Sequence, residues 1–284
     1  MINDPSRNKS VKKKVFQAFE HWTTQFTQDT GFFDHPNVLF AFEQWPDFPA
    51  VEILNSFLPE QTTTSSGHPI IFVAQDENFD FGGKAYETII YQTGQVPTRQ
   101  NSWHDTFGAL IWCLFPKTKA LLNKLHQQDI IEFGLKARTK TRNAITLLDE
   151  CGVIMAISDQ QFQCQLRDHQ WHWAFIKQRE QWDKTVKPFI FGHANYEMLT
   201  KPYIGLTGKA LFVTVDAGFF SLSLAQQYQH LDSQLVEMIG EQQMLKDNQH
   251  LSPLPLLGIP GWYPDNEKTS FYDNKQYFRD KRIN

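Results

Sequence analysis

The stretch SWHDTFGALIWCLFP, residues Ser102 to Pro116, decides the fold. Trp103, Phe107, Leu110, Ile111 and Leu114 recur at helical spacing, and most positions between them are apolar as well. A helix that is apolar on nearly every side belongs in a core. Ser102 suits the N-cap, and Pro116 stops or kinks the helix. Downstream, Leu121, Leu122, Leu125 and Ile130 mark a second helix over about 117–133.

Upstream, Val11, Val15, Phe19, Trp22 and Phe26 predict a helix that ends near Thr30-Gly31, and Val51, Leu54 and Leu58 predict a short one between prolines. The Thr/Ser-rich run from Gln61 to Gly67 reads as an exposed loop. Ile70 to Ala74 and Ala85 to Tyr91 read as strands that pair across Gly82-Gly83. Arg142 to Leu148 and Val153 to Ser158 read as a hairpin whose turn is Asp149-Glu150-Cys151-Gly152. Further helices fall at about 160–167, 169–178, 189–199 and 222–244, and a further strand at 211–215. From Leu251 the prolines enforce an extended, turning path. The expectation is one α+β domain over 1–284, with core helices packed on a small, mainly antiparallel sheet. Residues 1–10 are frayed and residues 251–284 form an extended, aromatic-rich C-terminal strap. That strap is either a stabilising clasp or the wall of a pocket.

Composition narrows the function. Hydrophobic residues make up 41% and charged residues 20%, as in a globular chain. The net charge of -4 gives no global basic footprint, so nucleic acid is an unfavoured partner. Lys12 to Lys14 and the basic run from Lys136 to Arg142 are its only footholds. Cys113, Cys151 and Cys164 are an odd number with no CxxC spacing, which excludes a disulfide framework and fits a reducing compartment. No stretch approaches the length of apolar residues that spans a bilayer, and no signal-peptide pattern follows the N-terminal lysines. A cytoplasmic protein with no membrane partner is the expectation.

Polar residues in the dense middle of the chain carry the candidate chemistry. Asp105, three residues after Ser102, either closes a capping box on the Ser102 amide or joins His104 in a site. His193 and Glu197 are four apart on an expected helix and share a face. That spacing suits either two ligands of one metal or a histidine steadied by a carboxylate. Arg142, Asn143, Asp149 and Glu150 flank the expected hairpin. Arg142 either clamps an anion bidentately or pairs with Asp149. Trp171, Trp173, Phe175 and Trp182 form an aromatic cluster suited to core packing, with base stacking as the alternative. No GxSxG elbow, GxxxxGK[ST] loop or GxGxxG turn is present.

The blocks WHDTFGALIWCLFPKTKALLN, RNAITLLDECG, FGHANYEMLTKPYIGLTGKAL and LPLLGIPGWYPDN…FYDNKQYFR resemble the bacterial family called domain of unknown function 3025. The resemblance spans about 103–279. Gly108 stands where the family pattern carries Asn. The resemblance implies a bacterial cytoplasmic protein of one domain, and it supplies no activity and no catalytic residues.

Two functional expectations follow. The first is a hydrolase-like enzyme acting on a small polar or phosphorylated substrate. His104 and His193 would serve as base or ligands, and Asp105 and Glu197 would orient them. Arg142, Asn143 and Asp149 would hold the substrate. A divalent metal, if one binds, would sit on His193 and Glu197 with His104 as the third ligand, or Asp149 in its place. The second expectation is a non-enzymatic interaction or regulatory protein, which requires an exposed apolar patch and no deep polar pocket. The first requires two imidazoles 89 positions apart in the chain to meet in space.

Overall fold

A run of six residues without a charged side chain, Gly152-Val153-Ile154-Met155-Ala156-Ile157, is buried throughout and lies at the heart of the larger sheet. Such a run suits a strand covered on both faces. The computed structural model describes residues 16–28, 30–77 and 79–281. In chain order its helices and strands begin with α1 (Asp34–Phe40), α2 (Val51–Ser56), β1 (Ile71–Ala74), α3 (Tyr86–Thr93) and β2 (Gln95–Thr98). The central elements are α4 (Trp103–Leu114), α5 (Pro116–Phe133), α6 (Lys140–Cys151), β3 (Gly152–Ile157) and α7 (Gln160–Arg167). Then come β4 (Val186–Ile190), α8 (His193–Leu199), β5 (Thr207–Thr214), α9 (Leu224–Val236) and β6 (Ser252–Pro255).

The architecture is α+β. The larger sheet has the order β4-β3-β5-β6; β3 is antiparallel to β4 and parallel to β5, and β5 is antiparallel to β6. A separate pair, β1 and β2, is parallel. One buried apolar cluster includes residues from Phe32 to Phe278 and has α4 as its spine. Trp103, Phe107, Leu110 and Ile111 on α4 are almost wholly buried, each worth about 1.5–3 kcal/mol over exposure. Ser102 caps α4 by accepting the Asp105 amide at 3.2 Å. Asp232 on α9 caps α5 from outside it, accepting the Lys117 and Thr118 amides at 3.1 and 2.8 Å.

The strap acts as a clasp. Phe175 stacks on both Trp171 and Tyr272, with ring centroids 5.7 and 5.6 Å apart. The Tyr272 hydroxyl donates to the Gly258 carbonyl, and the Tyr277 hydroxyl donates to the Leu206 carbonyl. The aromatic cluster read from the sequence is therefore the anvil on which the tail closes.

Several expected elements differ from those observed. Ala85 to Tyr91 is not a strand: α3 occupies it and ends on Gly94 in the left-handed conformation. A parallel β1–β2 pair needs a crossover, and a helix supplies it where a hairpin turn cannot. Arg142 to Leu148 is likewise helix. The Thr139 hydroxyl caps the Arg142 amide, and α6 runs through Asp149 and Glu150, so no hairpin forms there. Its partner strand from the sequence reading, β3, pairs instead with β4 and β5. The segment 189–199 begins as the end of β4, and its helix starts only at His193. The expected N-terminal helix lies partly outside the described residues. From 16 onward its chain is irregular up to a short 3-10 turn, Gln25–Thr27. There the Trp103 indole donates to the Phe19 carbonyl and the Trp22 indole to the Trp45 carbonyl. Tertiary anchors replace the helical ladder.

Candidate functional site

His104 sits at the second position of α4 and His193 at the first position of α8. These two helices pack together, and the ring centroids are 4.3 Å apart. The approach depends on backbone economy at two glycines. A Cβ on Gly192 would lie 2.4 Å from the Glu150 carbonyl, and one on Gly152 would lie 2.3 Å from the Leu148 carbonyl. With hydrogen at both positions, the amides of Phe191 and Gly192 reach the Gly152 carbonyl at 3.0 and 2.8 Å. The start of α8 is thereby pinned against the end of α6, which brings His193 to Glu150.

The imidazoles meet through their Nε2 atoms at 3.0 Å. His104 Nδ1 faces Glu197 Oε2 at 3.1 Å, and His193 Nε2 lies 3.6 Å from Glu150 Oε2. His104, Glu150 and His193 each offer one ligand atom within 4.8 Å of the others, which is a spacing suited to a metal ion. With bonds of about 2.1 Å, nitrogens 3.0 Å apart subtend an angle of about 90° at a common ion. Glu150 is the most exposed of the three side chains and has the most freedom to close on an ion. Glu197 does not share this point. It stands behind His104, on the opposite ring nitrogen, where a carboxylate orients a ligand and raises its basicity. The i,i+4 spacing thus serves two different partners.

The protonation states follow from the surroundings. Burial pushes His193 down to about 4, helped by the positive Lys119 and His104 and opposed by Asp149. The hydrogen bond to Glu197 raises His104 above its ordinary value, against the effect of burial. His193 Nδ1 is buried without a well-formed hydrogen bond, and the Asp149 backbone favours a proton there. Burial raises Glu150, and Asp149 and Glu197 add to that rise.

His104, Asp149, Glu150 and His193 line a cleft of about 290 Å³ between β2, α3, α4, α5 and the end of α6. Two ion pairs frame its walls. Lys119 Nζ meets Asp149 Oδ1 at 2.5 Å. Burial works to raise Asp149, but the ammonium and His193 outweigh it and hold the carboxyl below its usual range. Arg99 donates to Asp105 from its backbone amide at 2.7 Å, from Nε at 2.9 Å and from Nη2 at 2.7 Å. Asp105 therefore does not close a capping box on Ser102. Its carboxylate belongs to Arg99, which outweighs the effect of burial and keeps it ionised. Gly108, one turn below His104, presents only a hydrogen toward the His193 ring.

Arg142 and Asn143 are not among the residues lining the cleft. Arg142 is buried against Asp129, with Nε to Oδ1 at 2.7 Å, and its other nitrogens donate to the carbonyls of Gly134, Leu135 and Ala137. It ties the end of α5 to the start of α6. Asn143 is exposed on α6. Among the charged lining residues, Glu87, Arg99, Lys119 and Glu150 are not in the site expected from the sequence. Reading 140–151 as a helix that runs into a glycine would have flagged Glu150. The other three required the fold.

Fold and cleft together define an α+β protein with a histidine pair at the bottom of a carboxylate-lined hollow. The chain belongs to the family described as protein of unknown function (DUF3025), which matches residues 70–282 and so contains every residue of this cleft. No curated protein and no solved structure matches it.

Proposed function

We propose that the protein is a hydrolase-like enzyme that uses a divalent metal held by His104 Nε2, His193 Nε2 and a Glu150 oxygen, and acts on a small polar substrate in the cleft. The observation that carries this reading is the pair of Nε2 atoms 3.0 Å apart, beside Glu150 and backed by Glu197. Two imidazole nitrogens aimed at each other share one proton, and an ion that takes its place satisfies both lone pairs. His193 is suited to this because burial keeps it neutral. An ion with three protein ligands keeps positions open, lowers the pKa of a bound water toward neutrality and polarises a substrate oxygen. The hydrolytic step adds the water oxygen to the electrophilic atom, and the departing group leaves with a proton. Glu197 fixes the His104 ring, and the Lys119–Asp149 and Arg99–Asp105 pairs hold the walls in place.

The same reading makes the chain one domain, in keeping with its continuous buried cluster. It puts the protein in a bacterial cytoplasm, where the three free thiols would persist. Among the described residues no helix is long and apolar enough to cross a membrane. The alternative of an interaction protein draws support from Ile131, Phe133 and Leu135, all exposed where α5 ends.

The test is turnover. Protein stripped with chelator and resupplied with zinc, manganese or ferrous iron is assayed against chromogenic esters, amides and phosphoesters. Metal-restored hydrolysis that disappears in H193A and E150Q supports the reading. Hydrolysis indifferent to chelator, or none with any ion, contradicts it.

A further inference from the structure

The charges lining the cleft select among substrates. Four carboxylates, Glu87, Asp105, Asp149 and Glu150, face two cations, Arg99 and Lys119. Each cation is already engaged by an aspartate, Arg99 by Asp105 and Lys119 by Asp149. Lys119 is largely buried and also lies 5.5 Å from the centre of the Trp112 ring, so it is fixed from two sides. The lining therefore carries a net charge of two negative before any ion binds. A divalent ion on His104, His193 and Glu150 brings it to neutrality and leaves no surplus positive charge. A site built for a phosphate dianion presents free arginine or lysine to its oxygens. Both cations of this cleft are already paired with carboxylates.

Glu87 is the carboxylate left over. Its Oε2 accepts from Asn123 Nδ2 at 2.7 Å, which fixes its direction without cancelling its charge. Asn123 is itself buried. A carboxylate oriented by a neutral donor in a cleft is suited to receive an ammonium.

We propose that the cleft takes an amide or ester carrying a positive charge near its scissile bond, rather than a phosphomonoester, and that Glu87 is the residue that reads the charge. This rests on the metal-dependent reading given above. For an amide, hydroxyl from water goes to the carbonyl carbon, the C–N bond breaks, and the amine departs with the remaining proton.

Hydroxamates separate the two claims, because all share a metal-binding head and differ only in the tail. The full-length protein, loaded with zinc, is titrated calorimetrically with acetohydroxamate, hexanohydroxamate, 6-aminohexanohydroxamate and adipic monohydroxamate. The amine-tailed probe is expected to bind roughly two- to fivefold more tightly than the neutral hexano probe, and the carboxylate-tailed probe more weakly, as fits one partly exposed charge pair. E87Q is expected to remove most of the amine preference, and Glu87→Asp to retain part of it. Equal or tighter binding of the carboxylate-tailed probe, or displacement of the amine-tailed probe by millimolar inorganic phosphate, overturns the proposal. The wild-type series decides this even if a variant folds poorly. Failure of acetohydroxamate to bind in a zinc-dependent way overturns the metal centre itself, and the two failures are told apart by that probe alone.

Discussion

The cleft at His104 and the knot at Arg142 are two polar clusters set in apolar surroundings, and they differ in what their polar atoms face. In the knot, the Arg142 guanidinium meets Asp129 and three backbone carbonyls, and Asp129 also accepts from the Thr139 hydroxyl. Its two opposite charges face each other, and both terminal guanidinium nitrogens donate to backbone carbonyls. In the cleft, two imidazoles turn the same kind of nitrogen toward each other, with a half-exposed glutamate beside them and open space in front. A polar cluster that closes on itself holds a fold together. One that leaves lone pairs converging on a point is arranged for something else to arrive.

Substitution should break this contrast most visibly in the knot. Arg142→Ala strands the Asp129 charge in a buried site, and losing one partner of a buried pair costs about 3–5 kcal/mol. Urea denaturation should show a loss of that size, with metal stoichiometry in the surviving folded fraction unchanged. H193A should behave in the opposite way, with a melting temperature within a few degrees of wild type and no metal bound. If both variants lost stability alike, the distinction between the two clusters would fail.

Glu197→Gln sharpens the comparison at the next level. The amide keeps a hydrogen bond to His104 but removes the charge behind it, and losing a carboxylate that orients a ligand weakens metal affinity about 10–100-fold. Competition against a chromogenic chelator measures it. An unchanged affinity would remove Glu197 from the centre.

A smaller effect separates both clusters from a third polar group. His35 Nδ1 meets the Tyr228 hydroxyl at 2.9 Å, and its ring lies on Phe189. Burial, with the positive Lys187 adding to it, pushes His35 down to about 3. Between that value and the ordinary 6.5 the unfolded chain binds the proton and the folded chain does not. The stability this provides is complete above about pH 6.5 and is lost as pH falls toward 3. Thermal melts of wild type and H35Q across that window should differ in slope by an amount on the order of 1 kcal/mol, less than the full shift implies because the ring keeps some solvent contact. Parallel slopes would discount the shift. Smaller still, Asp105→Asn should cost about 0.5–1 kcal/mol through the half-exposed Arg99 and leave one metal per chain.

Much of this was legible before any coordinates. Ser102 and the apolar stripe behind it mark the start of α4 and its place in the core, and after Leu251 the chain is extended only over Ser252–Pro255 and then turns through three short 3-10 helices. His104 and His193 were singled out for chemistry, and they meet. What misled was the short apolar run. Ala144-Ile145-Thr146-Leu147-Leu148 and Thr88-Ile89-Ile90-Tyr91 suit strand and helix alike, and only the caps at Thr139 and Gly94 decide between them. A hairpin over α6 makes Asp149 and Glu150 turn residues, and the i,i+4 spacing to His193 points to Glu197 as the carboxylate ligand instead of Glu150. Arg142 looked like an anion clamp for the same reason. Contacts across long sequence separations, such as Lys119 with Asp149 or Gly192 with Glu150, leave no local signature.

The most direct measurement is the metal content of the untagged protein, by elemental analysis after dialysis at neutral pH, beside H193A purified in the same way. The account predicts about one divalent transition-metal ion per chain in the wild type and none in a folded H193A. Equal metal in both, or none in either after exposure to zinc, manganese and iron, would contradict it.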